Sequence, residues 1–172
     1  MNNSKQSKNK IFLVGMMGTG KSTVGRILAN KLGIGFIDSD EWIESESSLS
    51  IPEIFHTKGE SHFRILENEF ITVGLPKEKH VISCGGGLCI QKGMMEILKS
   101  RGKVLCLWAS PEEIVKRTNS VNNRPLLETK NPHQKIKEIL KERKAIYQSS
   151  DYLIETDELS PSEIVNEIES LL

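Results

Sequence analysis

The chain has 172 residues, of which 27% are charged and 37% are hydrophobic, and its 23 basic side chains balance 23 acidic ones. This length fits one domain that buries a core without disulfides or a structural metal. The zero net charge gives no reason to expect a nucleic-acid or membrane partner, and no segment has the length of a membrane span. Three cysteines scattered over apolar segments indicate reduced core thiols, at Cys84, Cys89 and Cys106. We therefore expect one monomeric, cytoplasmic domain with a flexible tail at residues 1–10.

Short apolar runs alternate with amphipathic stretches along the chain. The apolar runs predict strands at residues 11–14, 35–37, 81–83, 104–108 and 152–154. Helical spacing of apolar residues predicts helices at residues 21–32, 60–73, 92–100, 111–117, 134–148 and 161–171. The second of these helices should bury one apolar face, made of Phe63, Leu66, Phe70 and Val73. The alternation predicts an α/β fold, in which helices cover both sides of a parallel sheet.

Residues 119–133 differ from the rest of the chain. They are polar, contain Pro125 and Pro132, and have no clear periodicity. A segment of this length inside a compact domain is usually either a lid or disordered. We interpret it as a lid, and it contains Arg124.

Residues 15–22 match the phosphate-binding pattern G-x-x-x-x-G-K-[ST], and they lie between a predicted strand and a predicted helix. The glycines let the backbone wrap a phosphate, and the helix that follows presents the positive end of its dipole. Lys21 would reach the β- and γ-phosphates of a nucleotide, and the Ser22 hydroxyl would bind Mg²⁺. We expect the nucleotide to contact Gly15, Met17, Gly18, Thr19, Gly20, Lys21, Ser22 and Thr23.

Two carboxylates, Asp38 and Asp40, follow the second predicted strand. Ligands bind at the carboxyl ends of strands in open α/β sheets. These carboxylates could hold the metal and accept a proton from an attacking hydroxyl. A solvated turn that caps the next helix is the structural alternative, but the neighbouring P-loop favours a functional role.

Three glycines follow the third predicted strand, at Gly85, Gly86 and Gly87. They could form an anion-binding nest or merely a flexible connection. Arg64 lies at an apolar step of its helix, where an unpaired buried charge would be costly. A planar guanidinium suits a carboxylate or a phosphate, so three more arginines are candidates, Arg117, Arg124 and Arg143. For any single arginine, a solvated surface position is the common alternative.

Taken in order, these residues resemble the shikimate kinase family over nearly the whole chain, from Ile11 to about Leu171. The resemblance rests on Gly-Met-Met-Gly-Thr-Gly-Lys-Ser at 15–22, Phe-Ile-Asp-Ser-Asp at 36–40, Phe-Arg-Ile-Leu-Glu at 63–67, Gly-Gly-Gly at 85–87, Arg-Pro-Leu-Leu at 124–127 and Glu-Arg-Lys-Ala-Ile-Tyr at 142–147. The P-loop alone would indicate only a nucleotide binder, whereas the ordered set is far more specific.

The resemblance implies a three-layer fold around a five-stranded parallel sheet in the order 2-3-1-4-5, with a closing lid. It implies that ATP and Mg²⁺ are used to phosphorylate the 3-hydroxyl of shikimate, on the route to chorismate and the aromatic amino acids. In this family Asp40 would bind ring hydroxyls and help deprotonate the nucleophile, and Asp38 would help to hold Mg²⁺.

The resemblance also implies how the acceptor and the base are bound. Arg64 and Arg143 would clamp the carboxylate of shikimate, Glu67 would orient Arg64, and the backbone of three glycines would contact the substrate, Gly85, Gly86 and Gly87. Arg124 would reach from the lid to the transferring phosphate, and Arg117 would pack on the adenine. Residues 155–161 depart from the family pattern because they are acidic, although Pro161 fits the expected bend of the adenine loop.

Two other functions remain open at this point. Another small-molecule kinase of the same fold, such as a gluconate kinase, would share the P-loop and the lid but should not need two carboxylate-directed arginines. A non-catalytic nucleotide-binding protein is the second alternative. Lys21, Asp40 and Arg124 argue against it because together they supply the parts of phosphoryl transfer.

Overall fold

The computed structural model describes residues 8–118 and 131–172. Five parallel strands form one sheet in the order β2-β3-β1-β4-β5, as the resemblance implied. They are Lys10–Val14 (β1), Gly35–Asp38 (β2), His80–Ser83 (β3), Gly102–Trp108 (β4) and Tyr152–Glu155 (β5). The α-helices are Lys21–Leu32 (α1), Ser39–Ser47 (α2), Ile51–Glu69 (α3), Met94–Arg101 (α4), Pro111–Thr118 (α5), Pro132–Gln148 (α6) and Pro161–Leu171 (α7). None of the helices described here is long and apolar enough to cross a bilayer.

The sheet is buried on both faces. Phe12 and Leu13 point to opposite sides of β1, and both are fully buried. Apolar residues of α4, α6 and the turn that follows α3 pack on one face and those of α1 and α7 on the other. All three cysteines are buried and free, which confirms the interpretation as core thiols. The register aligns Asp38 with Ser83 and Leu13 with Ser83, so the segments that follow β1, β2 and β3 emerge at one edge.

The region between β2 and β3 departs from the sequence prediction. The predicted helix of this region begins only at residue 60, whereas α2 and the first half of α3 are also helical. Ser50 begins α3 with a capping box to Glu53, and Gly59 interrupts it with φ 80°, a conformation that glycine adopts without strain. Two short helices joined at a glycine carry too little periodicity to be recognised as one element.

The prediction that Val73 points into the core is wrong. The chain leaves α3 through a π-helical turn, Phe70–Gly74, and Val73 is 77% exposed. A π turn holds more residues than an α turn, so it rotates the following side chains away from the α-helical face. A Cβ on Gly74 would lie only 2.6 Å from the Trp42 indole, which stacks against Phe70. The widened turn and its glycine therefore make room for Trp42.

Two predicted boundaries also need correction. Lys10 was expected in the flexible tail but begins β1, where its ammonium donates to the carbonyl of Glu78 at 2.7 Å. Pro132 and His133 were expected in the lid but form the first turn of α6, which is capped by the Asn131 side chain. The other lid residues, 119–130, lie outside the described residues, and Arg124 lies among them.

Candidate active site

The P-loop connects β1 to α1 at the carboxyl edge of the sheet. Gly18 and Gly20 have φ values of 78° and 91°, which side chains with a Cβ rarely adopt. Gly20 occupies the N-cap position of α1, where no side chain accepts a hydrogen bond from the first turn. The backbone N–H groups at this end therefore remain available to an anion. Thr19 is buried, and its hydroxyl donates to the Met16 carbonyl at 2.8 Å, so it holds the loop together.

Lys21 folds back over this loop. Its ammonium donates to the carbonyls of Gly15 and Met16, at 3.0 and 2.9 Å. Burial lowers the pKa of Lys21, while the charges of Asp40 and Asp38 oppose that shift. A cation in this position can exchange carbonyl partners for phosphate oxygens. Met17 is half-buried in the same loop, and Thr23 is exposed on the first turn of α1.

Three oxygen-bearing side chains meet beside the P-loop. The Ser22 hydroxyl donates to Asp38 Oδ2 at 2.6 Å and lies 3.3 Å from the hydroxyl of Ser83, at the end of β3. Asp38 also accepts from the Asp40 backbone N–H at 3.0 Å and caps α2. The structural and functional interpretations of Asp38 are thus compatible, because its two oxygens serve different partners. Sequence reasoning missed Ser83, although its position at a strand end before the glycines was a usable signal.

Asp40 lies two residues after Asp38, in the first turn of α2. Burial, and then the charge of Asp38, raises the pKa of Asp40 to about 6, against the opposing charge of Lys21. The Ser39 hydroxyl accepts from the Gly85 N–H at 2.8 Å, which ties the start of α2 to the glycine loop. Asp40 is thereby held beside that loop with a basicity suited to accepting a proton near neutral pH.

Each glycine of the triple faces a different part of the site. A Cβ on Gly85 would overlap Asp40 Oδ1, and one on Gly87 would lie 2.6 Å from Arg64 Nη1. A Cβ on Gly86 would lie 3.4 Å from the Met17 backbone nitrogen, in the P-loop. The glycines therefore allow α2, α3 and the P-loop to approach one short segment, which a flexible connection would not require.

Arg64 lies between two carboxylates on α3. Its Nη2 and Nε donate to Glu60 Oε1 at 2.7 and 3.2 Å, and its Nη1 donates to Glu67 Oε2 at 2.7 Å. Burial lowers the pKa of Arg64, but the hydrogen bonds and charges of Glu67 and Glu60 outweigh it and leave the pKa raised. Glu60 was missed from the sequence, although its spacing of four residues from Arg64 is the usual signal of a helical ion pair.

Arg143 comes from α6 on the other side of the glycine loop. Its Nη1 donates to the Gly86 carbonyl at 3.1 Å, and the Tyr147 hydroxyl donates to the same oxygen at 3.2 Å. Tyr147 is fully buried one turn further along α6, and burial raises its pKa. Arg64 and Arg143 thus reach neighbouring glycines of the same loop from two different helices.

Arg117 lies at the end of α5, away from the acceptor side. Its Nε donates to Glu113 Oε1 at 2.9 Å, and Nη1 and Nη2 donate to the hydroxyl and carbonyl of Thr156 at 3.1 and 2.7 Å. These bonds lie in the guanidinium plane and leave its face for stacking. Pro161, which follows Thr156 in the chain, begins α7 and is exposed.

Comparison with known proteins fits this arrangement. The family model described as shikimate kinase matches residues 17–172. The shikimate kinase of Thermodesulfovibrio yellowstonii is 44% identical over 158 residues, which cover 92% of this chain and 91% of that protein. The chain belongs to the shikimate kinase family. It is an enzyme with shikimate kinase activity, it uses ATP as the family does, and it acts in aromatic amino acid biosynthesis.

Solved structures agree with that membership. The shikimate kinase from Acinetobacter baumannii in complex with shikimate superimposes with a TM-score of 0.86 at 38% identity, covering 96% of this chain and 93% of that one. A gluconokinase from Sinorhizobium meliloti gives a TM-score of 0.54 at 17% identity, covering 93% and 89%. The gluconokinase shares the fold alone. The family match and the 44% identity to a shikimate kinase decide against the two alternatives, a gluconate kinase and a non-catalytic nucleotide-binding protein.

Proposed function

We propose that this site transfers the terminal phosphate of ATP to the 3-hydroxyl of shikimate, with Asp40 as the base and with Arg64 and Arg143 on the substrate carboxylate. The single observation that carries the proposal is the packing of the glycine triple. Its three members adjoin Asp40, the P-loop and Arg64, and Arg143 donates to the central one. A small acceptor against these glycines would meet a base, two guanidinium groups and the transferring phosphate together.

The charges on the acceptor side support a carboxylate. Among the described residues, Arg143 donates only to a carbonyl and to the Met16 sulfur, whereas Arg64 already has Glu60 and Glu67. Arg143 provides the larger share of unbalanced positive charge, and a carboxylate between the two guanidinium groups would balance it.

The proposal includes Mg²⁺ at Ser22 and Asp38. The pair supplies only oxygen atoms, which Mg²⁺ prefers, and the P-loop would supply phosphate oxygens next to them. No group of three His, Cys, Asp or Glu side chains suited to a metal occurs in the described part of the chain. That fits an ion held by one carboxylate plus phosphates and water. Bound there, Mg²⁺ would neutralise charge on the transferring phosphate.

The remaining residues have supporting roles in this proposal. Lys21 would stabilise the charge of the transferring group, and Arg117 would stack on the adenine near Pro161. Arg124 would reach the phosphate from the segment 119–130. Asp40 would take the proton of the hydroxyl and release it to solvent after transfer. We further propose that the enzyme works as a monomer in the cytoplasm.

The test compares ATP consumption by the wild-type enzyme and two variants. Wild type should consume ATP with shikimate and not with gluconate. Arg64→Ala and Arg143→Ala should each raise the KM for shikimate by at least roughly tenfold, the equivalent of one charged hydrogen bond, and leave the KM for ATP within a few-fold. Replacing either arginine with lysine should preserve only part of the affinity for shikimate, because an ammonium keeps the charge but lacks the paired, planar N–H donors of a guanidinium. Loss of ATP affinity with intact shikimate affinity would overturn the assignment.

A further inference from the structure

Glu67 is a buried carboxyl group whose two oxygens have unequal surroundings. The side chain is 1% exposed. Its Oε2 accepts two hydrogen bonds, from Arg64 Nη1 and Gln91 Nε2, both at 2.7 Å. Its Oε1 is buried and has no partner among the described residues. A buried carboxylate oxygen without a partner is costly, so this oxygen needs either a ligand or a proton.

The unpartnered oxygen lies against Gly85, at the acceptor side of the site. A Cβ on Gly85 would lie 3.4 Å from Glu67 Oε1 and would overlap Asp40 Oδ1. The two carboxyl groups therefore border the same glycine. Glu60 and Glu67 both pair with Arg64, whereas Asp40 lies within reach of the Lys21 charge. Full ionisation of Glu60 and Glu67 would therefore leave one excess negative charge around Arg64, the guanidinium that should bind the substrate carboxylate.

The groups packed around Glu67 favour its neutral form. Burial raises the pKa of Glu67 to about 7; the charge of Asp40 on α2 adds to the shift, and Arg64 and Gln91 oppose it. Glu60 shares Arg64 on the solvent side. The two thiols nearby, Cys84 and Cys89, are themselves neutral near pH 7 because burial raises their pKa values. Arg64 keeps Glu60 as a counterion when Glu67 is neutral.

We propose that Glu67 carries a proton on Oε1 in the shikimate-binding form of the enzyme and donates that O–H into the acceptor pocket, so that shikimate binding is coupled to proton uptake. The inference rests on the proposed acceptor site. In this form Oε2 remains the carbonyl oxygen that accepts from Arg64 and Gln91, so the positioning of Arg64 is retained. The added proton removes one negative charge from the region that receives the carboxylate. Glu67 is thus a positioning residue with a titrating proton.

Glu67→Gln tests this directly, because a glutamine has the shape and hydrogen-bonding pattern of the neutral acid. Its carbonyl can accept from Arg64 and Gln91, and its NH₂ replaces the O–H. Shikimate binding should be measured by calorimetry from about pH 6 to about pH 9, in buffers of different ionisation enthalpy. Wild-type affinity should weaken at least roughly fivefold above the Glu67 pKa, with proton uptake on binding. Glu67→Gln should bind with the affinity of the low-pH wild type, and its affinity should not change over that alkaline range.

Two control variants distinguish a protonated Glu67 from one that works as a carboxylate. Glu67→Ala should bind shikimate at least roughly tenfold more weakly than Glu67→Gln, since it leaves Arg64 unsupported. Glu69→Gln changes an exposed glutamate of the same helix and should retain wild-type affinity and proton uptake. If Glu67→Gln is as impaired as Glu67→Ala, or if proton uptake persists in it, Glu67 works as a carboxylate and the proposal is wrong.

A spectroscopic measurement on the free enzyme separates this proposal from the assignment of the acceptor site. A protonated carboxyl group has its own C=O stretching band in the infrared. The component of that band that titrates near the Glu67 pKa should be present in wild type and missing in Glu67→Gln, which keeps the component from Asp40 near pH 6. Absence of the Glu67 component in wild type would overturn the proposal. If the arginine variants kept normal shikimate affinity, the acceptor assignment would fail while the band still reported on Glu67.

Discussion

The nucleotide side and the acceptor side of the site share one edge of the sheet but are built differently. The phosphate-binding part of the nucleotide side is one continuous segment between β1 and α1, and it relies on backbone N–H groups, glycine conformations and the Lys21 ammonium. The acceptor side takes side chains from α2, α3 and α6 and gathers them around the loop after β3. Backbone groups recognise any polyphosphate, whereas a set of separate side chains can select one acceptor.

The difference implies that mutations should divide into two kinds. In the phosphate-binding segment, most side chains other than Lys21 and Ser22 should be replaceable, because the backbone binds the phosphates. On the acceptor side, each side chain should affect shikimate without affecting ATP.

Lys21→Ala should cause the largest loss. The ammonium is the one charged side chain of the P-loop, and it lies where charge on the transferring phosphate must be stabilised. We expect kcat to fall roughly 10³-fold or more, since electrostatic groups of this type are worth that much. Steady-state turnover with saturating ATP and shikimate measures it. A near-normal kcat would show that backbone amides alone suffice and that the contrast between the two sides is overstated.

Asp40→Asn should lower kcat by roughly 10²-fold, the usual value of a positioned general base. Its pKa of about 6 means that the carboxylate is ionised above that pH and protonated below it. Wild-type kcat/KM should therefore fall as the pH drops through about 6, and the variant should lose this acidic limb. ATP affinity should change little. Weakened ATP binding with intact kcat would move Asp40 to the nucleotide side.

The two sides also differ in how far the sequence could predict them. The P-loop is contiguous, so its pattern identifies its residues and its place between β1 and α1. Each strand was predicted to within about two residues, because a buried parallel strand is a plain apolar run. The sheet order came from the family resemblance, since strand pairing depends on contacts far apart in the chain.

The acceptor side could be predicted only in part. Arg64 was singled out by its apolar neighbours, yet its partner Glu60 looks like an ordinary surface residue of a helix. Gln91 contacts Glu67 across 24 positions, and no local pattern marks such a pair. The π turn after α3 was unpredictable for a related reason: it depends on the Trp42 indole from another helix. Tertiary contacts, rather than local preference, decide these features.

Gly85→Ala should test the close packing on the acceptor side, with Gly86→Ala as its matched partner. A Cβ on Gly85 must displace the Asp40 carboxylate, while one on Gly86 meets the Met17 nitrogen at 3.4 Å. Displacing a catalytic group by about an ångström can cost about 10²-fold, so we expect kcat/KM for shikimate to fall roughly 10- to 100-fold in Gly85→Ala and less in Gly86→Ala. Equal losses in both variants would indicate that loop flexibility matters, not the contact with Asp40.

Arg117→Ala should have the smallest effect, and only on the nucleotide. The guanidinium donates to Glu113 and Thr156 through all three nitrogens, so it can offer the base its flat face and few further hydrogen bonds. A cation stacked on an aromatic ring at a partly exposed site contributes about 0.5–1 kcal/mol, which corresponds to roughly a two- to fivefold rise in the KM for ATP. The kcat and the KM for shikimate should be unchanged. Glu113→Gln keeps an acceptor for Nε and should raise the KM for ATP less than Arg117→Ala does. A large fall in kcat for Arg117→Ala would place this arginine on the transferring phosphate, and the nucleotide side would then depend on two charged side chains instead of one.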